Sequence, residues 1–186
     1  MRRLRVIVIL IVIGVAGALI AAKVNVGDAI LAVTLPLEHE DIIRQQADRF
    51  DIDPALIAAV IDEESGFSDQ TSSAGARGLM QITHATADTI ETLSGGQTFV
   101  YDDLGNPDLN IRYGTFYLNH LLDRFSGNVV AALAGYNGGP ENVEQWGGSD
   151  LQIDDIPFPE TRAYVEDVLR KQQQYRDNYA DELGLQ

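Results

Sequence analysis

The chain is punctuated for helices. Three times a proline stands where an apolar-periodic run begins, at Asp53-Pro54, Asn106-Pro107 and Pro140. Proline lacks an N–H and has its φ fixed, so the first helical turn is where a helix tolerates it best. Asp and Asn are preferred N-caps. The runs close on Gly66, Gly127 and Gly147-Gly148, and glycine readily takes the left-handed conformation at which helices stop. Between these marks the apolar residues recur with helical spacing. Ile42, Ile43, Ala47 and Phe50 line a helix over 38–50, which leads into one from Asp53 to Glu64. Thr83 caps a helix carrying Ala85, Ala87, Ile90 and Leu93, closed by Gly95-Gly96. Ile111, Gly114, Tyr117, Leu118, Leu121 and Phe125 mark the helix after Pro107. Val129 to Ala134 reads as a short helix buried on most sides, followed by a Gly135–Pro140 loop. Ile156-Pro-Phe-Pro159 is extended, because a residue before proline is pushed out of the helical region. A last helix follows from Glu160 through Tyr164, Val165, Val168, Leu169 and Tyr175. No segment sustains period-two alternation and no repeat is visible. The expected fold is all-α, six to eight helices around one core.

Arg2, Arg3 and Arg5 precede an uncharged run of 17 residues, 6–22, ending at Lys23. A basic prefix before an apolar segment directs the downstream chain out of the cytoplasm. Ala16-Gly-Ala18 offers a cleavage-like site but lies inside the apolar run, which favours a signal anchor over a cleaved signal peptide. Either gives an extracytoplasmic domain, anchored to the membrane through 6–22 or secreted. Residues 23–37 read as a tether and 38–186 as the folded domain.

The net charge is −15, and because the first 22 residues hold three arginines and no acids, the remainder carries −18. Such a domain repels nucleic acid, which excludes that class of partner. There is no cysteine, and His39, His84 and His120 lack ligand-like spacing, so neither a metal nor a cofactor is expected.

Glu64 is the awkward residue. Ile57, Val60, Ile61 and Glu64 share a stripe, while Asp62 and Glu63 turn outward on that register. Desolvation and the C-terminal end of the helix dipole both disfavour its anion, so its pKa should be raised. Taken alone, the position fits equally a fraying helix end exposed to water. Glu160 sits in a first turn, where the dipole favours a carboxylate, and shares a stripe with Tyr164 and Val168, so it too is expected to face inward. Two carboxyls in opposed settings point to a proton donor and an ionised orienting partner. Small-residue loops at Ser65–Gln81 and Gly135–Gly139 would let a ligand approach the backbone.

Four segments in order carry a family resemblance: Glu64-Ser-Gly-Phe; Ser72-Ser-Ala-Gly-Ala-Arg-Gly-Leu-Met-Gln81; Ala134-Gly-Tyr-Asn-Gly-Gly-Pro140; and Ile156-Pro-Phe-Pro-Glu-Thr-Arg-Ala-Tyr164. Over about residues 38–177 the chain resembles the family 1, soluble-type murein lytic transglycosylases, which have a goose-lysozyme-like catalytic domain. The resemblance implies cleavage of the β-1,4 bond between N-acetylmuramic acid and N-acetylglucosamine in peptidoglycan, the muramyl C6 hydroxyl attacking C1 to leave a 1,6-anhydro end. It makes Glu64 the single acid, then base. Ser65, Ser72, Gly78, Met80, Gln81, Tyr136 and Asn137 become substrate-binding, with Tyr136 and Asn137 near the acetamido group and Gly75 and Gly78 admitting the sugars. Glu160 becomes an orienting residue. The partner is the glycan strand, with cell-wall machinery as a further, unidentified one. Thr83-His84 departs from the family's Met-Pro, which puts subsite preference in question. Gly135 and Gly138 stand for the commoner alanines, and the 65–72 loop is one residue shorter than in many relatives. Two other readings stay open: a muramidase on the same fold, using water in place of the C6 hydroxyl, and a catalytically silent, membrane-tethered glycan-binding module.

Overall fold

The computed structural model describes residues 31–95 and 101–185. The apolar segment 6–22 lies outside these residues. Among those described, no helix is long and apolar enough to cross a membrane. Of the unit Met1–Pro36 only 31–36 are described, and they make one helical turn. The unit Leu37–Gln186 holds the remaining elements.

Eight α-helices are described in that unit: α1 (Glu40–Phe50), α2 (Pro54–Ser65), α3 (His84–Leu93), α4 (Pro107–Arg124), α5 (Val129–Gly138), α6 (Pro140–Trp146), α7 (Pro159–Asn178) and α8 (Ala180–Leu183). Short 3-10 turns lie at Tyr101–Gly105, Gly148–Asp150 and Ile153–Asp155. The described residues form no strand, only two isolated bridges within the 71–82 loop.

The expected caps act as such. Asp53 accepts from the Ala55 N–H at 3.0 Å, Asn106 from Leu109 at 3.1 Å and Thr83 from Thr86 at 3.1 Å. Gly66 closes α2 in the left-handed region, its N–H bonded to the Asp62 carbonyl.

The core is built around α2, whose residues Ala55 to Ile61 are all buried. Ile57, Val60 and Ile61 are wholly enclosed, each stabilising the fold by about 1.5–3 kcal/mol. α7 runs antiparallel beside α2, a direction fixed by three contacts. Arg176 pairs with Asp53 at the start of α2, Lys171 with Asp62 and Glu63 near its end, and Tyr164 with Glu64 in the last turn. α5 packs against α4, α6 and α7, which brings its C-terminal end towards the same end of α2.

Two expectations need correcting. Gly135-Tyr-Asn-Gly138 is not a loop but the last turn of α5. Gly135 is buried because a Cβ there would press on Phe125 at 3.2 Å and Leu121 at 3.4 Å, so its smallness serves close packing. The helix stops one residue later, at Gly139 with φ +88°. Asp62 does not turn outward either. Its side chain is 8% exposed and sits 3.0 Å from the Lys171 Nζ, which also holds Glu63 at 3.0 Å. A helix with so little polar surface has no free outer face, and α7 covers the one the pattern left for water.

Candidate active site

Glu64 lies in the last turn of α2, half-buried, and the Tyr164 hydroxyl donates to its Oε1 at 2.8 Å. Tyr164 is itself buried on the inner stripe of α7, with Thr161, Val165 and Val168. Burial pushes the Glu64 pKa from the ordinary 4.5 up to about 7, against the Tyr164 hydrogen bond, which lowers it; the neighbouring Glu63 charge adds to the rise. A carboxyl with this affinity is part protonated near neutrality, the condition for giving a proton and then recovering one.

Tyr136, in the last turn of α5, faces the same place. Burial and then the charge of Glu64 push its phenol well above the ordinary value, so it stays a neutral donor. Its hydroxyl donates to the Met80 carbonyl at 2.8 Å, and its ring lies 5.7 Å from that of Tyr117 on α4. Beside Tyr136, on the side of α3 and α4, a groove of about 400 Å³ opens, walled by Thr83, Thr86, Tyr117, His120, Tyr136 and Asn137 among others; Glu64 is not part of its wall. Thr83, which departs from the family's methionine, is exposed and spends its hydroxyl on capping α3. The larger hollow of about 560 Å³ lies around Asp53, Gln172 and Arg176, at the other end of α2 from Glu64.

The 66–82 loop is held by a buried side chain that none of the sequence motifs includes. The Asn110 Oδ1 accepts from the Met80 N–H at 2.7 Å, and its Nδ2 donates to the Arg77 and Leu104 carbonyls at 2.9 Å each. Gly78, at φ +75°, fits because a Cβ would collide with this amide. The packing of Asn110 and the Leu104 carbonyl thus accounts for a glycine at 78. Met80 is likewise fully enclosed, packed on Gly114, and meets the site through its backbone rather than its side chain. Ser65 donates to the Ile61 carbonyl at 3.1 Å and Ser72 accepts from the Ala76 N–H at 3.0 Å, so both hydroxyls are engaged in local structure. Gln81, with φ +46°, donates to the Gly78 and Gln70 carbonyls at 2.8 and 3.2 Å. The Tyr101 hydroxyl donates to the Gly75 and Ile82 carbonyls and straps the loop from outside.

Asn137 is exposed, and its Oδ1 accepts from the Thr161 hydroxyl at 2.9 Å. Glu160 does not face inward as the shared stripe suggested. It is exposed, because the buried stripe of α7 begins only at Thr161, and it lines an open pocket with Asn137. The group that sets the Glu64 carboxyl is Tyr164, one turn further along α7. A signal for Tyr164 existed in the sequence, since it sits four residues after Glu160 on the same stripe. Asn110 left a fainter one: it occupies an apolar stripe position four residues before Gly114 and seven before Tyr117. Among the described residues no group of three His, Cys, Asp or Glu side chains could hold a metal ion.

The profile of the transglycosylase SLT domain matches residues 41–157. The soluble lytic murein transglycosylase of Salmonella typhimurium is 34% identical over 150 residues, covering 76% of this chain and 23% of that protein. Among solved structures, the 70 kDa soluble lytic transglycosylase of Escherichia coli superposes with a TM-score of 0.74 at 32% identity, covering 83% of this chain and 26% of the other. An inactive mutant of the lytic transglycosylase Slt from Pseudomonas aeruginosa gives 0.72 at 35%, covering 79% and 25%. The chain thus spans about a quarter of the length of these relatives. With 117 of its residues inside the matched domain, the chain belongs to the transglycosylase SLT domain family, the family 1 lytic transglycosylases.

Proposed function

We propose that the chain cleaves the β-1,4 bond between N-acetylmuramic acid and N-acetylglucosamine in peptidoglycan by lytic transglycosylation, within a goose-lysozyme-like domain over 38–186. The observation that carries this reading is the Glu64 carboxyl, raised to about 7 and bonded through one oxygen to the Tyr164 hydroxyl. With Oε1 accepting from Tyr164, the proton of the neutral acid resides on Oε2. That proton passes to the glycosidic oxygen as its bond to C1 breaks. The substrate's own acetamido group covers C1, so no second carboxylate is needed. The Glu64 carboxylate then takes the proton of the C6 hydroxyl as O6 bonds to C1, which regenerates the acid and leaves the 1,6-anhydro end.

Tyr136 and Asn137 border the groove where the acetamido-bearing sugar would lie, and Gln81 is at the edge of the loop beside it. Ser72, Gly78 and Met80 support this surface by shaping the loop, and Ser65 by bonding to the last turn of α2 beside Glu64. Glu160 acts from the rim as an acceptor for sugar hydroxyls. Residues 6–22 anchor the domain on the outer side of the cytoplasmic membrane, within reach of the glycan strand and of any cell-wall machinery that positions it.

Digestion of purified sacculi followed by mass spectrometry tests the reading. Anhydro-muropeptides, lighter by one water and lacking a reducing end, are the expected product. Reducing muropeptides alone would identify a muramidase. A Glu64→Gln variant that cleaves as fast as the wild type would remove Glu64 from the mechanism, and a wild-type chain that binds strands without cutting them would leave a silent module.

A further inference from the structure

We infer that Phe158, backed by Trp146, is a stacking platform for one more pyranose of the glycan strand, adjacent to the reacting sugar. The inference rests on the lytic transglycosylase reading and names a binding surface within it. An exposed aromatic alone is ordinary; what distinguishes Phe158 is its setting. It is 48% exposed, the only aromatic among the large apolar side chains exposed in the described residues. It stands in extended backbone between Pro157 and Pro159, immediately before α7. The Trp146 ring meets it edge-on, with centroids 4.9 Å apart and planes at 73°. Prolines on both sides and an indole against the ring hold it in place, which spares a ligand the cost of ordering it.

Phe158 forms one wall of an open pocket of about 500 Å³ whose other sides are Asn137, Gly138, Pro159, Glu160 and Thr161. This is an apolar face opposed by polar groups, the composition expected of a site for a small polar ring. A β-linked pyranose carries its substituents in the ring plane and presents axial C–H groups on its faces. The face suits a phenyl ring and the edge suits hydrogen-bonding groups. Both kinds are provided. Thr161 donates to the Asn137 Oδ1, which leaves the amide N–H₂ as the group to offer a sugar, and the exposed Glu160 carboxylate accepts from hydroxyls. Gly138 keeps the pocket open: a Cβ there would come within 3.0 Å of the Thr161 hydroxyl and 3.3 Å of the Trp146 ring.

The pocket is also in line with the chemistry. Glu160 and Tyr164 are four residues apart on α7, about 6 Å along its axis. Phe158 immediately precedes that helix, and Asn137 and Gly138 line both this pocket and the groove beside Tyr136, so the two surfaces adjoin.

The test uses the full chain and soluble, uncross-linked strands of alternating N-acetylglucosamine and N-acetylmuramic acid. Phe158→Ala should raise KM roughly tenfold and lower kcat far less, as expected for losing one aromatic contact, while Phe158→Tyr keeps KM near wild type. Trp146 is the only tryptophan, so its emission reports the platform directly. In a Glu64→Gln background, strands should shift that emission saturably. A Phe158→Ala enzyme with wild-type KM, or emission unmoved at strand concentrations that saturate turnover, would overturn the platform while leaving the lytic activity standing. A wild-type chain that neither cuts nor binds strands would remove the parent reading and the platform with it.

Discussion

Replacing Glu64 with glutamine should make the domain more stable while it abolishes turnover, and the gain should depend on pH in a defined way. The Glu64 carboxyl has its pKa raised from 4.5 to about 7 by burial. The folded state therefore holds a proton that the unfolded state releases between those two values. Stability falls as pH rises through that window and stays lower above it. At about 1.36 kcal/mol per pKa unit the full effect is about 3 kcal/mol. Water at the partly exposed carboxyl screens this to about 2 kcal/mol. Glutamine does not titrate, and its Oε1 still accepts from the Tyr164 hydroxyl, so it avoids the loss. Thermal unfolding of both proteins at pH 4 and pH 8 checks this. At pH 4 the melting temperatures should agree within error. At pH 8 the variant should melt higher by about 4–8 °C, from about 2–4 °C per kcal/mol for a domain of this size. Other titrating groups are common to both proteins and cancel in the difference. A melting difference that is the same at both pH values would refute the claim that Glu64 is desolvated.

Removing the Tyr164 hydroxyl should move Glu64 further from an ordinary acid. Tyr164→Phe deletes a hydrogen bond that favours the carboxylate, so the fall in rate on the alkaline side should shift to higher pH and kcat should drop about 10–100-fold. A pH–rate profile reads both. Lys171→Met leaves Asp62 and Glu63 without their shared cation, costing about 3–5 kcal/mol by denaturant titration. The uncovered Glu63 charge should also push the alkaline limb upward, and a Glu63→Gln change in the same protein should bring it back. Asn110→Ala strips three hydrogen bonds from the loop that carries Met80 and Gln81. It should destabilise by about 3 kcal/mol or more, with proteolysis appearing first within 66–82.

Much of the scaffold could be read along the chain because its signals are local. Asp53, Thr83 and Asn106 bond to N–H groups two or three residues ahead, and neither partner depends on the rest of the fold. Glu64 stood out for the same reason: an acid closing an apolar stripe is visible within one helix. What escaped was set by other elements. Gly135 resembles a helix stop until Phe125 and Leu121 are seen against it. Asp62 looks solvated until Lys171, more than a hundred residues later, is brought beside it. Tyr164 and Asn110 were readable as stripe residues, but only the packing of α7 on α2, and of α4 on the loop, tells what their polar atoms do. The stripe through Glu160 misled for a related reason, since periodicity gives a direction and not the length of helix that its neighbour covers.

The antiparallel pairing of α2 with α7 has a consequence for when the protein can act. Every group that α7 sets against α2 is about a hundred residues away in the chain, from Tyr164 on Glu64 to Arg176 on Asp53. Contacts of such separation form late, because a long loop must close before they return any free energy. As the polypeptide leaves the ribosome, the helix bearing the acid emerges first, and the phenol that sets it arrives only after about a hundred more residues have been made. A nascent chain, or one cut ahead of α7, would carry Glu64 and still lack a competent site. The order of synthesis itself thus keeps the Glu64 carboxyl without its Tyr164 hydrogen bond until α7 has been made.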